Sequence, residues 1–330
     1  MRDRLIALLK ILVSLGLIGY LLTRIDLAQV AGALKAANYW YLVPAVLLFL
    51  AAMSNSALKW YILLRAQGIR VPLRAVLSYT FVGFFFNNLL PANVGGDVMR
   101  GYGLARYTDQ AAEAAVSVVV DRIVGLMAFM SSAVVAALVA VFLLDQKILR
   151  GVEVAALVGL IAVAAGFAVI LSRRIRAAVG RLFAWKVLAP FAPIYARLSA
   201  ALDSYRHSYA PLALAFGVSL LTLVLTNFTD YLIFESLGGG VPLIYIFLFN
   251  PIIAFVLLVP ISIGGLGVTQ AVYPFFYGLV GVPISLAFTA SVLKQLIIYV
   301  TSLPGGVLWW HTRKSTSDAQ ATPERAPIQP

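Results

Sequence analysis

The chain contains no cysteine, which removes a disulfide framework, a thiolate metal site and a cysteine nucleophile at once. Charge is almost as scarce. Asp, Glu, Lys and Arg make up 12% of the residues against 62% hydrophobic ones, where a soluble domain carries about 25% charged residues. That inventory cannot cover a water-facing surface. Its 330 residues therefore count helices in lipid rather than soluble domains. Histidine is limited to His207 and His311, no Walker loop or His-Glu zinc pattern occurs, and Ser262 in Pro-Ile-Ser-Ile-Gly-Gly is not a nucleophile elbow. A non-enzyme with no cofactor and no metal is expected.

What is present is long apolar runs. They lie at about 5 to 22, 40 to 64, 75 to 91, 116 to 144, 152 to 172, 210 to 234, 243 to 278 and 285 to 310, and a crossing needs about 20 residues. Six read as single spans. The other two, 75 to about 105 and 243 to 278, are interrupted by Pro and Gly and read as broken or re-entrant helices. Arg2, Arg4 and Lys10 ahead of the first run imitate a secretory signal. The nearest small-residue site, Ala31-Gly32-Ala33, lies beyond Arg24 and Asp26, so a retained first span is expected.

The formal charge of +12 would point to nucleic acid in a soluble protein. Here the Lys and Arg residues sit between apolar runs, which makes their meaning topological, so no nucleic-acid partner is expected. Lys59, Arg65, Arg70 and Arg74 mark one cytoplasmic connection, and Arg173, Arg174, Arg176, Arg181, Lys186, Arg197 and Arg206 mark a longer one. Both termini then face the cytoplasm of a bacterial cytoplasmic (inner) membrane, and the two interrupted segments enter from opposite faces. Residues 1–311 form one integral membrane domain, with 172–209 an amphipathic connection on the cytoplasmic headgroups. Residues 312–330, rich in Ser, Thr, Ala and Pro, read as a disordered cytoplasmic tail.

The interrupted segments carry the candidate site. Each has Pro, three residues, then Gly-Gly: Pro91 to Gly95-Gly96 and Pro260 to Gly264-Gly265. A helix broken in hydrocarbon frees backbone groups that must be buried in protein or line a wet cavity. Half-helices from opposite faces build midplane sites in secondary transporters, and a half-helix N-terminus suits an anion. The bland alternative is a pair of packing kinks. The substrate-binding candidates are Asn88, Pro91, Gly95, Gly96, Asp97 and Arg100 in the first segment and Ser262, Gly264, Gly265, Gly267 and Gln270 in the second. Arg122 and Lys294 join them from apolar spans, where a charge is costly and should face the bundle or a cavity. Asp97 also reads as a helix cap, Arg100 as a snorkelling cation and Asp121-Arg122 as a structural ion pair with the neighbouring broken helix. Asp230 and Glu235, near a helix end, are expected to be exposed.

Asn88-Leu89-Leu90-Pro91 followed by Gly95-Gly96-Asp97 and Arg100, together with Asp121-Arg122 and Pro260-Ile261-Ser262 followed by Gly264-Gly265-Leu266-Gly267-Val268, resembles the lysylphosphatidylglycerol synthase transmembrane region, also known as flippase-like domain proteins. The resemblance reaches to about Trp310. It implies an all-α polytopic transmembrane bundle with about six full spans and two broken or re-entrant segments in an inverted-repeat-like arrangement. It also implies movement of aminoacylated phosphatidylglycerol between leaflets in some members and links to hopanoid or glycolipid pathways in others. The family's aminoacyl transfer belongs to a separate soluble domain, which is not expected in the stretch after Trp310. Two positions depart from the usual pattern. Thr269-Gln270 stands where many relatives carry Glu, which removes a carboxylate, while Asp121-Arg122 in place of Glu-Arg keeps the charge.

The expected function is translocation of an anionic or polar-headgroup lipid, an anionic phospholipid, glycolipid or hopanoid-type lipid, with the bilayer as partner and lipid-synthesis enzymes as possible associates. The rivals are a membrane-embedded transferase on lipid-linked substrates and a non-transporting scaffold or accessory protein.

Overall fold

The computed structural model describes residues 27–89, 95–144, 172–258 apart from 184, 186, 187 and 206, residue 262 and 264–321, with 158, 159, 161, 164–166 and 168 between them. The expected span at 5 to 22, more than half of that at 152 to 172, and Pro91 and Pro260 lie outside the described residues. Among the described residues there is no strand. The protein is an all-α membrane helical bundle.

In chain order the helices are α1 (Leu27–Ala36), α2 (Leu42–Ala66), α3 (Leu73–Leu89), α4 (Gly95–Thr108), α5 (Ala111–Leu144), α6 (Arg173–Leu182), α7 (Ala192–Leu202), α8 (Tyr209–Ser236), α9 (Leu243–Leu258), α10 (Val268–Gly278) and α11 (Ile284–Ala321). Among the described residues four stretches are long and apolar enough to cross a membrane: Tyr39–Ala66, Ala111–Ala136, Tyr209–Ser236 and Ile284–His311. Each matches an expected span. By contrast α3, α4, α9 and α10 have 17, 14, 16 and 11 residues, too short for about 30 Å of hydrocarbon at about 1.5 Å per residue. Both interrupted segments are thus pairs of short helices.

The order span, short helix, short helix, span occurs twice, as α2 to α5 and as α8 to α11. Val71-Pro72-Leu73 opens α3, and Val241-Pro242-Leu243 opens α9. In both, Pro precedes the helix or sits at its mouth, where its missing N–H costs nothing. The halves run in opposite senses along their contact. Asn38 N donates to Ser236 O at 2.7 Å, Asn55 Nδ2 to Val218 O at 2.7 Å and Tyr205 Oη to Leu63 O at 3.1 Å, so α2 and α8 are antiparallel. The halves also exchange partners: α3 packs on α11 of the other half as well as on α4 and α2 of its own, and α9 packs on α5.

The connection over 172–209 differs from a helix resting on headgroups alone. Ser172 caps α6, and Phe183 stacks on Tyr195 with centroids 4.6 Å apart. Arg176 is buried and pairs with Asp203, which also accepts from Arg173 at 2.8 and 3.0 Å. Hydrogen bonds from Arg173 hold the Asp203 carboxyl below the usual carboxylate range. Tyr205 is buried under α2, and burial pushes its hydroxyl pKa up, so it remains a donor. Arg173, Arg174, Ile175 and Trp185 stay exposed, which leaves an amphipathic outer face. The last helix runs on to Ala321, so 312–321 are helical where composition predicts an irregular tail. No proline interrupts the segment before Pro323.

Candidate functional site

A cavity of about 440 Å³ lies between the two halves, walled by α2, α3, α4, α5, α8, α9, α10 and α11 and by the glycine turn before α10. Its first pole is a charge cluster. Asp97, in the first turn of α4, accepts from Arg100 Nε at 3.0 Å and Arg122 Nε at 2.5 Å. Asp121, one long helix away on α5, accepts from Arg100 at 2.7 Å and lies 2.9 Å from Lys59 Nζ. The Arg100 guanidinium also lies 4.9 Å from the Trp60 ring centroid, and Trp60 is fixed by its Nε1 donating to Ser117 Oγ at 3.1 Å. Lys59, Arg100 and Asp121 are buried, while the Arg122 side chain is 42% exposed. Arg122 is the cation of this pole most able to reach a ligand.

The second pole belongs to the other half. Lys294 Nζ lies 2.6 Å from Asp230 Oδ2 and 5.4 Å from the Tyr273 ring centroid. Asn250 Nδ2 donates both to Asp230 Oδ2 and, at 2.9 Å, to Asn227 Oδ1, and Tyr277 Oη donates to Asn250 Oδ1 at 3.2 Å. Asp230 is buried rather than exposed. Its charge is compensated in low dielectric by a short ion pair and an amide. Between the poles the interrupted segments meet: Gly264, at φ +57°, leaves a gap in which a Cβ would stand 3.2 Å from the Asn88 carbonyl oxygen.

Four cations, Lys59, Arg100, Arg122 and Lys294, face three carboxylates, Asp97, Asp121 and Asp230. One formal positive charge is left over. A recess with excess cation inside a membrane protein attracts an anion. The half-helix N-termini contribute less than expected, because Gly96 N donates to Asn87 Oδ1 at 2.8 Å and Gly267 N to Gln270 Oε1 at 2.7 Å. Side chains occupy those amides. Among the described residues no three His, Cys, Asp or Glu groups are gathered for a metal.

Of the residues predicted from sequence, Asn88, Gly96, Asp97, Arg100, Arg122, Gly264, Gly265 and Lys294 border the cavity. Gly95, Ser262, Gly267 and Gln270 do not border it. Gln270 caps α10, and Ser262 is buried beside the turn. Lys59 is a correction: its place is inside α2 at the first pole, not in a cytoplasmic loop. Asp230 is a second. Both lie inside apolar runs, and an ionisable residue within a span marks a functional site by default, so the signal was present. Asn87, Asn227 and Asn250 also line the cavity, and common polar residues at helical spacing gave no such signal.

The chain resembles a UPF0104 membrane protein of Methanothermobacter thermautotrophicus, with 27% identity over 289 residues covering 82% of this chain and 85% of that one. A UPF0104 membrane protein of Pyrococcus horikoshii is 22% identical over 325 residues, covering 93% of this chain and 97% of the other. The family profile described as the lysylphosphatidylglycerol synthase TM region matches residues 7–305, a range that takes in both short-helix pairs and both poles of the cavity. This multi-pass membrane protein belongs to the lysylphosphatidylglycerol synthase TM region family.

Proposed function

We propose that the protein is a lipid translocase of a bacterial cytoplasmic membrane, with both termini in the cytoplasm, that moves a lipid with an anionic or polar headgroup between leaflets. The observation that carries this reading is the cavity enclosed by two antiparallel repeats with one cation in excess of its carboxylates. About 440 Å³ falls in the range of small-ligand pockets and suits a headgroup, while the acyl chains stay in the bilayer. Rocking of one half against the other exposes the cavity to each leaflet in turn. The family description, which names the membrane region of a lipid enzyme, supports a lipid as the cargo.

The test is reconstitution into vesicles containing acyl-labelled phosphatidylglycerol, with dithionite reporting the outer leaflet. The protein is expected to accelerate exchange, and Arg122→Ala to reduce it about tenfold, the scale of a lost charge contact. Exchange at the wild-type rate in both Arg122→Ala and Lys294→Ala would remove the cavity from the pathway. Appearance of a new lipid product would instead favour a membrane-embedded transferase.

A further inference from the structure

Each half has an ion pair that joins its two long spans at the cavity, and the polarity is reversed between them. In the first half the cation is on the leading span and the carboxylate on the closing one, Lys59 of α2 with Asp121 of α5. In the second half the leading span carries the carboxylate, Asp230 of α8, and the closing span the cation, Lys294 of α11. The places correspond. Lys59 stands 12 residues before Val71 and Asp230 stands 11 before Val241, while Asp121 and Lys294 each stand 10 residues after the first residue of their helix. At about 1.5 Å per residue, the first pair lies roughly 10–15 Å from one end of its spans and the second roughly 9–15 Å from the opposite end.

The two pairs are not equally fixed. Asp121 is held by Lys59 and Arg100 together, so a shift of one cation leaves the other in place. Among the described ion pairs Asp230 has Lys294 alone. Lys294 borders the cavity with its side chain 18% exposed, whereas the Asp230 side chain, 1% exposed, stands behind it. The groups around Asp230 are Asn227 of its own helix, Asn250 of α9, and Tyr273 and Tyr277 of α10. They include a donor, Asn250 Nδ2, that keeps a displaced carboxylate hydrogen-bonded.

We propose that Lys294 is a second anion station and that Asp230 is a tethered competitor for it. A headgroup phosphate gathered at Arg100 and Arg122 takes Lys294 from Asp230. The return of the carboxylate to Lys294 then ejects the phosphate on the other side. This rests on the translocase reading and adds a substrate class, a phosphodiester lipid whose headgroup carries a net charge of −1. One such anion cancels the one surplus cation, so the loaded site moves without net charge through low dielectric. A phosphomonoester, with about −1.5 to −2 charge, overshoots. A zwitterionic headgroup, with no net charge, leaves the surplus cation uncancelled.

Full-length protein in detergent is titrated with short-chain phosphatidylglycerol, read by tryptophan fluorescence. Vesicles then report exchange of acyl-labelled phosphatidylglycerol, phosphatidic acid and phosphatidylcholine. The wild type is expected to exchange phosphatidylglycerol fastest. Asp230→Asn is expected to bind it about tenfold more tightly and exchange it about tenfold more slowly, because the competitor that drives release is gone. Asp230→Asn with unchanged or weaker affinity, or with normal exchange, overturns the proposal, as does equal wild-type exchange of the three lipids. If Asp230→Asn does not fold, the neutral pair Asp230→Asn with Lys294→Gln replaces it. Slow exchange in that double variant supports the second station, and a wild-type rate refutes it. A wild type that exchanges no lipid sinks the translocase reading itself, whereas exchange that ignores Asp230 sinks only the competitor.

Discussion

Asp121 is the residue on which the first pole turns, because Lys59 and Arg100 both direct their charge at it in a buried place. Removing one partner of a buried pair leaves an uncompensated charge and costs about 3–5 kcal/mol. Asp121→Asn, which leaves Lys59 without a carboxylate and Arg100 with Asp97 alone, is expected to lower stability by about that amount. Lys59→Met leaves Asp121 paired with Arg100 and should cost less. Thermal unfolding in detergent checks the order. At this scale the sequence was partly readable. Arg100, Arg122 and Lys294 stand out as charges amid apolar residues, and the structure puts all three on the cavity. Lys59 and Asp230 carry the same signal but lie 7 and 6 residues from the ends of α2 and α8, where a boundary error of a few residues turns a buried charge into a loop charge. Which carboxylate meets which cation depends on helix packing, which no local pattern encodes.

At the scale of elements, the breaks were legible because Pro and Gly-Gly interrupt an apolar run, and α3, α4, α9 and α10 end and begin around them. What the pattern did not convey is how tightly the pieces meet. A Cβ on Gly96 would overlap the Gly83 carbonyl oxygen and press on Asn87. Gly96→Val is therefore expected to separate α4 from α3 and abolish recovery of folded protein, as read by size-exclusion profile. At Gly264 the left-handed backbone, φ +57°, disfavours any side chain by about 1–2 kcal/mol, so Gly264→Ala should lower the unfolding temperature more mildly. The connection over 172–209 gives a pH prediction. The Asp203 carboxyl is depressed by Arg173, so its contribution to docking is present above an unfolded pKa of about 4 and is lost as pH falls below it. Pepsin cleavage within 173–202 is expected to rise in that acid window, and in Asp203→Asn at every pH.

At the scale of the whole molecule, the described residues hold two antiparallel repeats that share helices, α3 with the second and α9 with the first. Apolar periodicity and the charge of the connections pointed to opposed halves, but an exchange of partners leaves no trace in local composition. It has a testable outcome. Fragments 1–183 and 188–330 expressed together are expected to copurify, since each supplies a helix the other packs on, while either fragment alone is expected to be lost. Affinity capture through a tag on one fragment checks this.

The trade of helices also sets an order of events during synthesis. Phe81 of α3 lies against Gly305 of α11, a residue made 224 positions later, which at about 5–20 residues per second is a wait of roughly 10–45 s. Through that interval α3 is in the membrane without its permanent neighbour, so the nascent chain is most vulnerable to quality-control proteases before its last span emerges.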